Sequence, residues 1–208
     1  MLSNCPEWEY EHHPRRPELP SRVAGILRDL ASGAVDTLAL ALDSRDAHLR
    51  VFHGLTPHGC GYYAGHYRGE RYRCLRSCEV GVSSDHRVGA PPTAVGLLMR
   101  ELGTQIEAGV RAIDGSVLLD RGKRLHYIVA LVCHVFEVFL RVHPYVNGNG
   151  HVGRLIVWSM LVRYGHWPRQ WPIDPRPPDP PYVDLIKRYR DGETLPFEQH
   201  ILAMLLPP

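Results

Sequence analysis

Lysine is nearly missing from this 208-residue chain: Lys123 and Lys187 are the only two among 24 basic residues. Arginine makes up the rest, and its planar fork suits carboxylate and phosphate, although a compositional bias alone would give the same excess. A large charge of either sign is also missing. With 22 acidic residues the formal net charge is +2, so nothing in the overall charge points to nucleic acid or another polyanion. Cysteine is sparse and odd in number: Cys5, Cys60, Cys74, Cys78 and Cys133. Such an irregular set speaks against a disulfide framework and for a reducing compartment. Cys74 and Cys78, with His58 or His86 nearby, are poorly spaced for zinc, and no metal site is expected there. The first residues carry no positive-then-apolar signal pattern. The most apolar stretch, 125–142, is interrupted by His126, His134, Glu137 and Arg141, which suits a buried helix better than a membrane span. A cytoplasmic protein without a membrane partner is the expectation, and no internal repeat is visible.

The length suits one domain with a full core. Residues 1–20, with Pro6, Pro14, Pro17 and Pro20, predict an irregular arm ahead of a domain over 21–206. Ser21 is a plausible helix N-cap, and helices are predicted over 21–30 and 35–52, the second closed by Gly54 and Pro57. Gly- and Tyr-rich residues 56–69 predict a loop. Tyr72, Cys74, Val80 and Val82 predict a short β-hairpin over 71–82, with a loop over 83–92. Further helices are predicted over 93–112, 121–142, 152–164, 183–190 and 196–206. The helix over 121–142 is apolar almost all round, as befits one covered on every side.

The most informative segment is His143-Pro144-Tyr145-Val146-Asn147-Gly148-Asn149-Gly150-His151-Val152-Gly153-Arg154. Glycines let the backbone turn sharply and approach a ligand. Successive N–H groups followed by a helix N-terminus form a concavity for an anion, most naturally phosphate. A histidine just before that cradle can move a proton near neutral pH. Alone, it would more readily be a histidine that merely hydrogen-bonds a helix end.

This segment resembles the HPFxDGNGRxxR signature of Fic-domain proteins. Tyr63-Ala64-Gly65-His66-Tyr67-Arg68 resembles the family's AGxYR segment, and His53-Gly54-Leu55 and Pro91-Pro92 also fit. The resemblance implies a mainly α, Fic-like helical domain with a small β-hairpin flap. It implies that His143 is the general base for a target hydroxyl, and that Asn147, Gly148, Asn149, Gly150, His151 and Arg154 line the donor's phosphates. It further implies that Arg71, Tyr72 and Arg73 on the flap dock an extended target segment. Two positions depart from the signature. Asn147 replaces the acidic residue that holds Mg²⁺ in the family, so metal binding is expected to be weakened; His151 replaces an arginine and brings less positive charge.

Three readings follow. The first is a nucleotidyltransferase, AMPylase-like, that moves AMP from ATP to a Ser, Thr or Tyr hydroxyl of a protein. The second is an altered transferase or phosphate-ester enzyme of the same fold, using another phosphorylated donor with little or no metal. The third is a degenerate binding module acting through a protein partner. Thr194-Leu195-Pro196-Phe197-Glu198-Gln199 is the nearest match to the family's inhibitory (S/T)xxxE(G/N) pattern. Gln199 and Pro196 depart from that pattern, so restraint would come from Glu198, from a separate inhibitory partner, or be absent.

Overall fold

The computed structural model describes residues 5–82, 85–116 and 120–205. Residues 1–4 of the arm, Ser83 and Ser84 of the following loop, and Leu206 at the end of the last expected helix lie outside them. Eight α-helices are present among the described residues: α1 Leu19–Ser32, α2 Thr37–Leu42, α3 Arg45–Phe52, α4 Pro92–Gly115, α5 Arg121–Val142, α6 Asn149–Arg163, α7 Tyr182–Arg190 and α8 Thr194–Ala203.

Two helices form the centre. The sequence of α6 has no polar face: Val152, Leu155, Ile156, Val157, Met160 and Leu161 are all buried. Only a position covered on every side satisfies such a helix. It packs on α5, and α2, α1 and α3 close its other sides. By length and composition α5 could cross a membrane, but here α4, α6, α7 and α8 pack around it. Its buried Phe136 and Phe139 each contribute about 1.5–3 kcal/mol of burial. Asp120 caps its start by accepting the Lys123 N–H, which ends the preceding loop where the pattern placed it.

Apart from shifted helix ends, the structure departs from expectation in three places. No β-hairpin covers 71–82; among the described residues there is no strand, only an antiparallel bridge between Val82 and Asp85. A strand sends neighbouring side chains to opposite faces, yet Cys74 and Leu75 are both buried. The backbone instead closes local turns, with Leu75 and Arg76 N–H both donating to Tyr72 O. The helix expected over 35–52 is two, α2 and α3. The Asp43 carboxylate captures both the Arg45 N–H and its guanidinium, offering the backbone an alternative to continuing the helix. Lastly, Cys5 and Cys74 form a disulfide across 69 residues, against the expectation of unpaired thiols. It follows from the arm, which is not loose. Trp8 and Tyr10 are buried, Trp8 Nε1 donates to Leu55 O at 2.8 Å, and the arm's path brings Cys5 beside the 71–77 turn.

Candidate active site

Everything at the site depends on how α5 ends and α6 begins. His143 follows the last turn of α5 with φ 53° and ψ 61°, the only described non-glycine residue at positive φ. A β-carbon there meets the neighbouring carbonyl, at about 1–2 kcal/mol, so surrounding bonds must hold it. Arg68 supplies them. Its side chain is fully buried, and its Nε donates to His143 O at 2.9 Å. Nη1 donates to Cys78 O at 3.0 Å, and Nη2 to Ala90 O at 2.9 Å and Val142 O at 3.1 Å. Its backbone N–H donates to Pro144 O. A guanidinium at a helix C-terminus complements the carbonyl dipoles left open there. Gly89 and Ala90 N–H donate to Arg141 O and Val142 O, so the end of α5 is fully clasped.

The His143 ring is thereby aimed. Nδ1 lies 3.2 Å from Leu140 O, a contact that requires Nδ1–H and leaves the lone pair on Nε2. Nε2 has no protein partner among the described residues. Burial, and then the nearby Arg68 and Arg190, push the pKa down to about 4. The imidazole is therefore neutral across the physiological range, with its Nε2 lone pair exposed to the cavity.

The turn that follows spends its side chains on its own shape. Asn147 Nδ2 donates to Trp8 O at 2.7 Å, while Oδ1 accepts the Gly148 N–H at 2.7 Å. Its carbonyl accepts from His48 Nε2 at 3.0 Å, while His48 Nδ1 accepts the Gly65 N–H. Asn149 Oδ1 accepts the Tyr145 N–H and its Nδ2 donates to Tyr145 O, both at 2.9 Å. Gly148 sits at φ 79°, and a β-carbon there would meet the Phe52 ring at 2.3 Å. His151 is claimed on both nitrogens, by Tyr10 Oη at 3.3 Å and Asp174 Oδ1 at 3.2 Å. Its pKa falls to about 4, chiefly through burial.

What the turn offers a ligand is main chain. Gly148 is the N-cap of α6 and no side chain caps it, so the N–H groups of Asn149, Gly150 and His151 have no intrahelical acceptor. Arg154, buried at 4 % exposure, anchors Nε and Nη2 on Ile173 O at 3.0 and 2.7 Å. Its Nη1 lies 3.1 Å from where a Gly150 β-carbon would stand, so glycine there is what lets the guanidinium reach the first turn. His143 and residues 147–151 and 154 line one cavity of about 450 Å³. The other side is Tyr10 and Glu11 from the arm, Val82, Asp85 and Val88 from the loop after the turns, and α7.

No protein-family model matches the sequence, and no curated protein matches it.

The cavity thus brings together His143 with all six residues expected to hold phosphates, while Arg71, Tyr72 and Arg73 stand apart. Those three lie on an exposed turn outside the cavity, where Tyr72 stacks on Tyr62. Strand addition there has no strand edge to extend. Glu198 does not line the cavity either; it is buried on α8, within electrostatic reach of Cys133 and Tyr189. At position 147 the oxygen facing the turn is that of a neutral amide, and it already accepts one hydrogen bond, from Gly148 N–H at 2.7 Å. Among the described residues no three of His, Cys, Asp or Glu converge as a ligand set.

Sequence reasoning missed several participants. Arg68 belongs to the segment resembling AGxYR but was given no role. Tyr10, Glu11 and Asp174 reach the cavity from segments with no motif, so no signal announced them. Asp85 and Arg190 come together only through tertiary packing. The Arg190 guanidinium joins Asp85 Oδ2 at 2.8 Å to Glu137 Oε1 at 2.7 Å. Arg87 holds the same Asp85 and reaches Asp191 at 2.6 Å, tying the loop over the cavity to α5 and α7.

Proposed function

We propose that this protein transfers a phosphorus-linked group from a phosphorylated donor to a hydroxyl of a protein target. A nucleotidyl group from ATP is the first candidate for what is moved. One observation carries the reading: a neutral histidine whose Nε2 is unclaimed among the described residues shares a cavity with three helix N–H groups likewise unclaimed and a buried arginine. The target hydroxyl oxygen attacks phosphorus, its proton passes to His143 Nε2, and the bond from phosphorus to the leaving phosphate breaks. With ATP as donor, pyrophosphate departs. N–H groups aimed at the charge that builds on the phosphorus oxygens are among the largest contributions in such reactions, and the base adds about 10²- to 10⁴-fold.

The commitment of Asn147 to Trp8 O and Gly148 N–H favours a second version of the same chemistry. In it the donor is bound with little or no metal, and it need not be a nucleoside triphosphate. A panel of ATP, other nucleoside triphosphates, nucleotide sugars and CDP-choline, each with Mg²⁺ or with EDTA, separates the two by thermal shift. A ligand at a hundred times its Kd stabilises by about 2.7 kcal/mol. The stabilising donor is then labelled on the transferred group and incubated with a peptide library containing Ser, Thr and Tyr. Label should enter peptides with the wild type and be lost in His143→Ala, while the donor's thermal shift persists. Undiminished labelling by His143→Ala would remove the base from the scheme, and no shift with any donor would remove the donor site.

A further inference from the structure

Helix α7 lines the same cavity as the turn. Tyr182, Val183, Ile186, Lys187 and Arg190 face the cavity, and their spacing of one, four, five and eight residues marks a single helical stripe. The wall has a direction. Tyr182 feels the charge of Arg154, and His143 feels that of Arg190. The helix therefore runs from the arginine anchor to the base, a rise of about 12 Å over eight residues.

The charges on that wall are not equivalent. Arg190 is spent on Glu137 and Asp85. Arg176 pairs with Asp179 at 3.5 Å. Lys187 has no carboxylate within ion-pair distance among the described residues, while the other lysine, Lys123, pairs with Asp120 at 3.7 Å. The acids facing the cavity do not offset it. Asp85 is held between Arg87 and Arg190, and Asp174 is paired with Arg16 at 2.7 Å. Glu11 is exposed at the rim. A cation in the last turn of a helix does stabilise its dipole, by about 0.3–1 kcal/mol. That contribution needs no particular face, and Arg188 makes it while pairing with Glu193 away from the cavity.

We propose that Lys187 is a second phosphate anchor, so that the donor is a diphosphate ester or longer, held as the metal-free anion. The inference rests on the donor-site reading above and specifies its chemistry. One phosphate lies on the N–H groups of α6 beside Arg154. The next is neutralised by the Lys187 ammonium, which replaces the charge that a metal would bring were position 147 a carboxylate. Val183 and Ile186, beside Lys187, give the rest of the donor an apolar surface. An ammonium serves as a point charge for phosphate without demanding a fixed fork geometry.

The test uses inorganic pyrophosphate and orthophosphate, titrated calorimetrically into the full chain in EDTA and again in Mg²⁺. Wild type, Lys187→Gln, Lys187→Arg and the control Lys123→Gln are compared. Pyrophosphate should bind in EDTA, at least tenfold tighter than orthophosphate. Lys187→Gln should weaken pyrophosphate at least tenfold, with orthophosphate changed less than twofold, and Lys187→Arg and Lys123→Gln should stay within threefold of wild type. A Lys187→Gln protein that binds pyrophosphate as wild type does, or a wild type that needs Mg²⁺ to bind it, overturns the second anchor and leaves the first phosphate site standing. A folded wild type that binds neither anion in either condition overturns the donor site itself, and the anchor with it.

Discussion

Removing the Arg68 guanidinium tests whether the end of α5 is held as described. In Arg68→Met the aliphatic stem is kept and the donors are lost. Val142 O retains the Ala90 N–H, but Cys78, Ala90 and His143 O lose the donors they have in the native fold. A buried acceptor left without a partner costs about 1–3 kcal/mol. The low end applies, because relieving a buried cation that has no carboxylate partner among the described residues offsets part of the loss. Three carbonyls at about 1 kcal/mol, with a further loss of about 1 kcal/mol at Val142, give about 4 kcal/mol. For a domain of this size that lowers Tm by about 8–16 °C. Urea unfolding followed by circular dichroism measures the free energy, and calorimetry the Tm. Arg68→Lys restores charge but not the fork, so it should recover less than half of the loss. Transfer should fall with Arg68→Met even where the protein remains folded, because His143 would no longer be pinned, while pyrophosphate affinity stays within threefold. A loss below about 1 kcal/mol, or a lysine variant as stable as wild type, would refute the clasp.

Two further outcomes follow from the same region. His143→Gly and His143→Ala should both abolish transfer, but at φ 53° the glycine variant should be the more stable by about 1 kcal/mol; equal urea midpoints would show that the backbone there is unstrained. Stability should also fall with acid. His48, His143 and His151 are buried with pKa values pushed down to about 3, 4 and 4, chiefly by desolvation, so below the unfolded value of about 6.5 the unfolded chain binds more protons. Their contribution is complete above about pH 6.5 and is lost as pH falls toward about 4, at about 1.4 kcal/mol per pH unit for each. Urea titrations at pH 7.5, 6.5, 5.5 and 4.5 would contradict this if the midpoint did not move.

The legible parts of the fold were those written in local pattern. The helix over 121–142 has its expected bounds because Asp120 caps it and the apolar run ends at His143. The segment 143–154 was legible because a turn and a helix N-terminus are local structures. The last helix begins at Thr194, earlier than expected from Pro196, because proline is tolerated throughout a first turn, where N–H groups lack partners anyway. The parts that depend on distant partners were not legible. Asn147 and Asn149 read as ligand donors, yet their amides serve Trp8 and Tyr145, and only the fold says whether an amide is already engaged. The apolar positions of 71–82 fit alternation as well as turns, and Cys5, the partner of Cys74, lies 69 residues away.

A ligand gripped by peptide N–H groups is gripped by something that substitution cannot easily rewrite. In a survey of variants at 147–151, lost activity at the asparagines should therefore report a collapsed turn and not a missing contact. New preferences would have to arise in the surrounding walls, the arm around Tyr10 and the stripe on α7. On the proposed reading, what holds the donor and what selects it are thus encoded in different stretches of the chain, free to change separately.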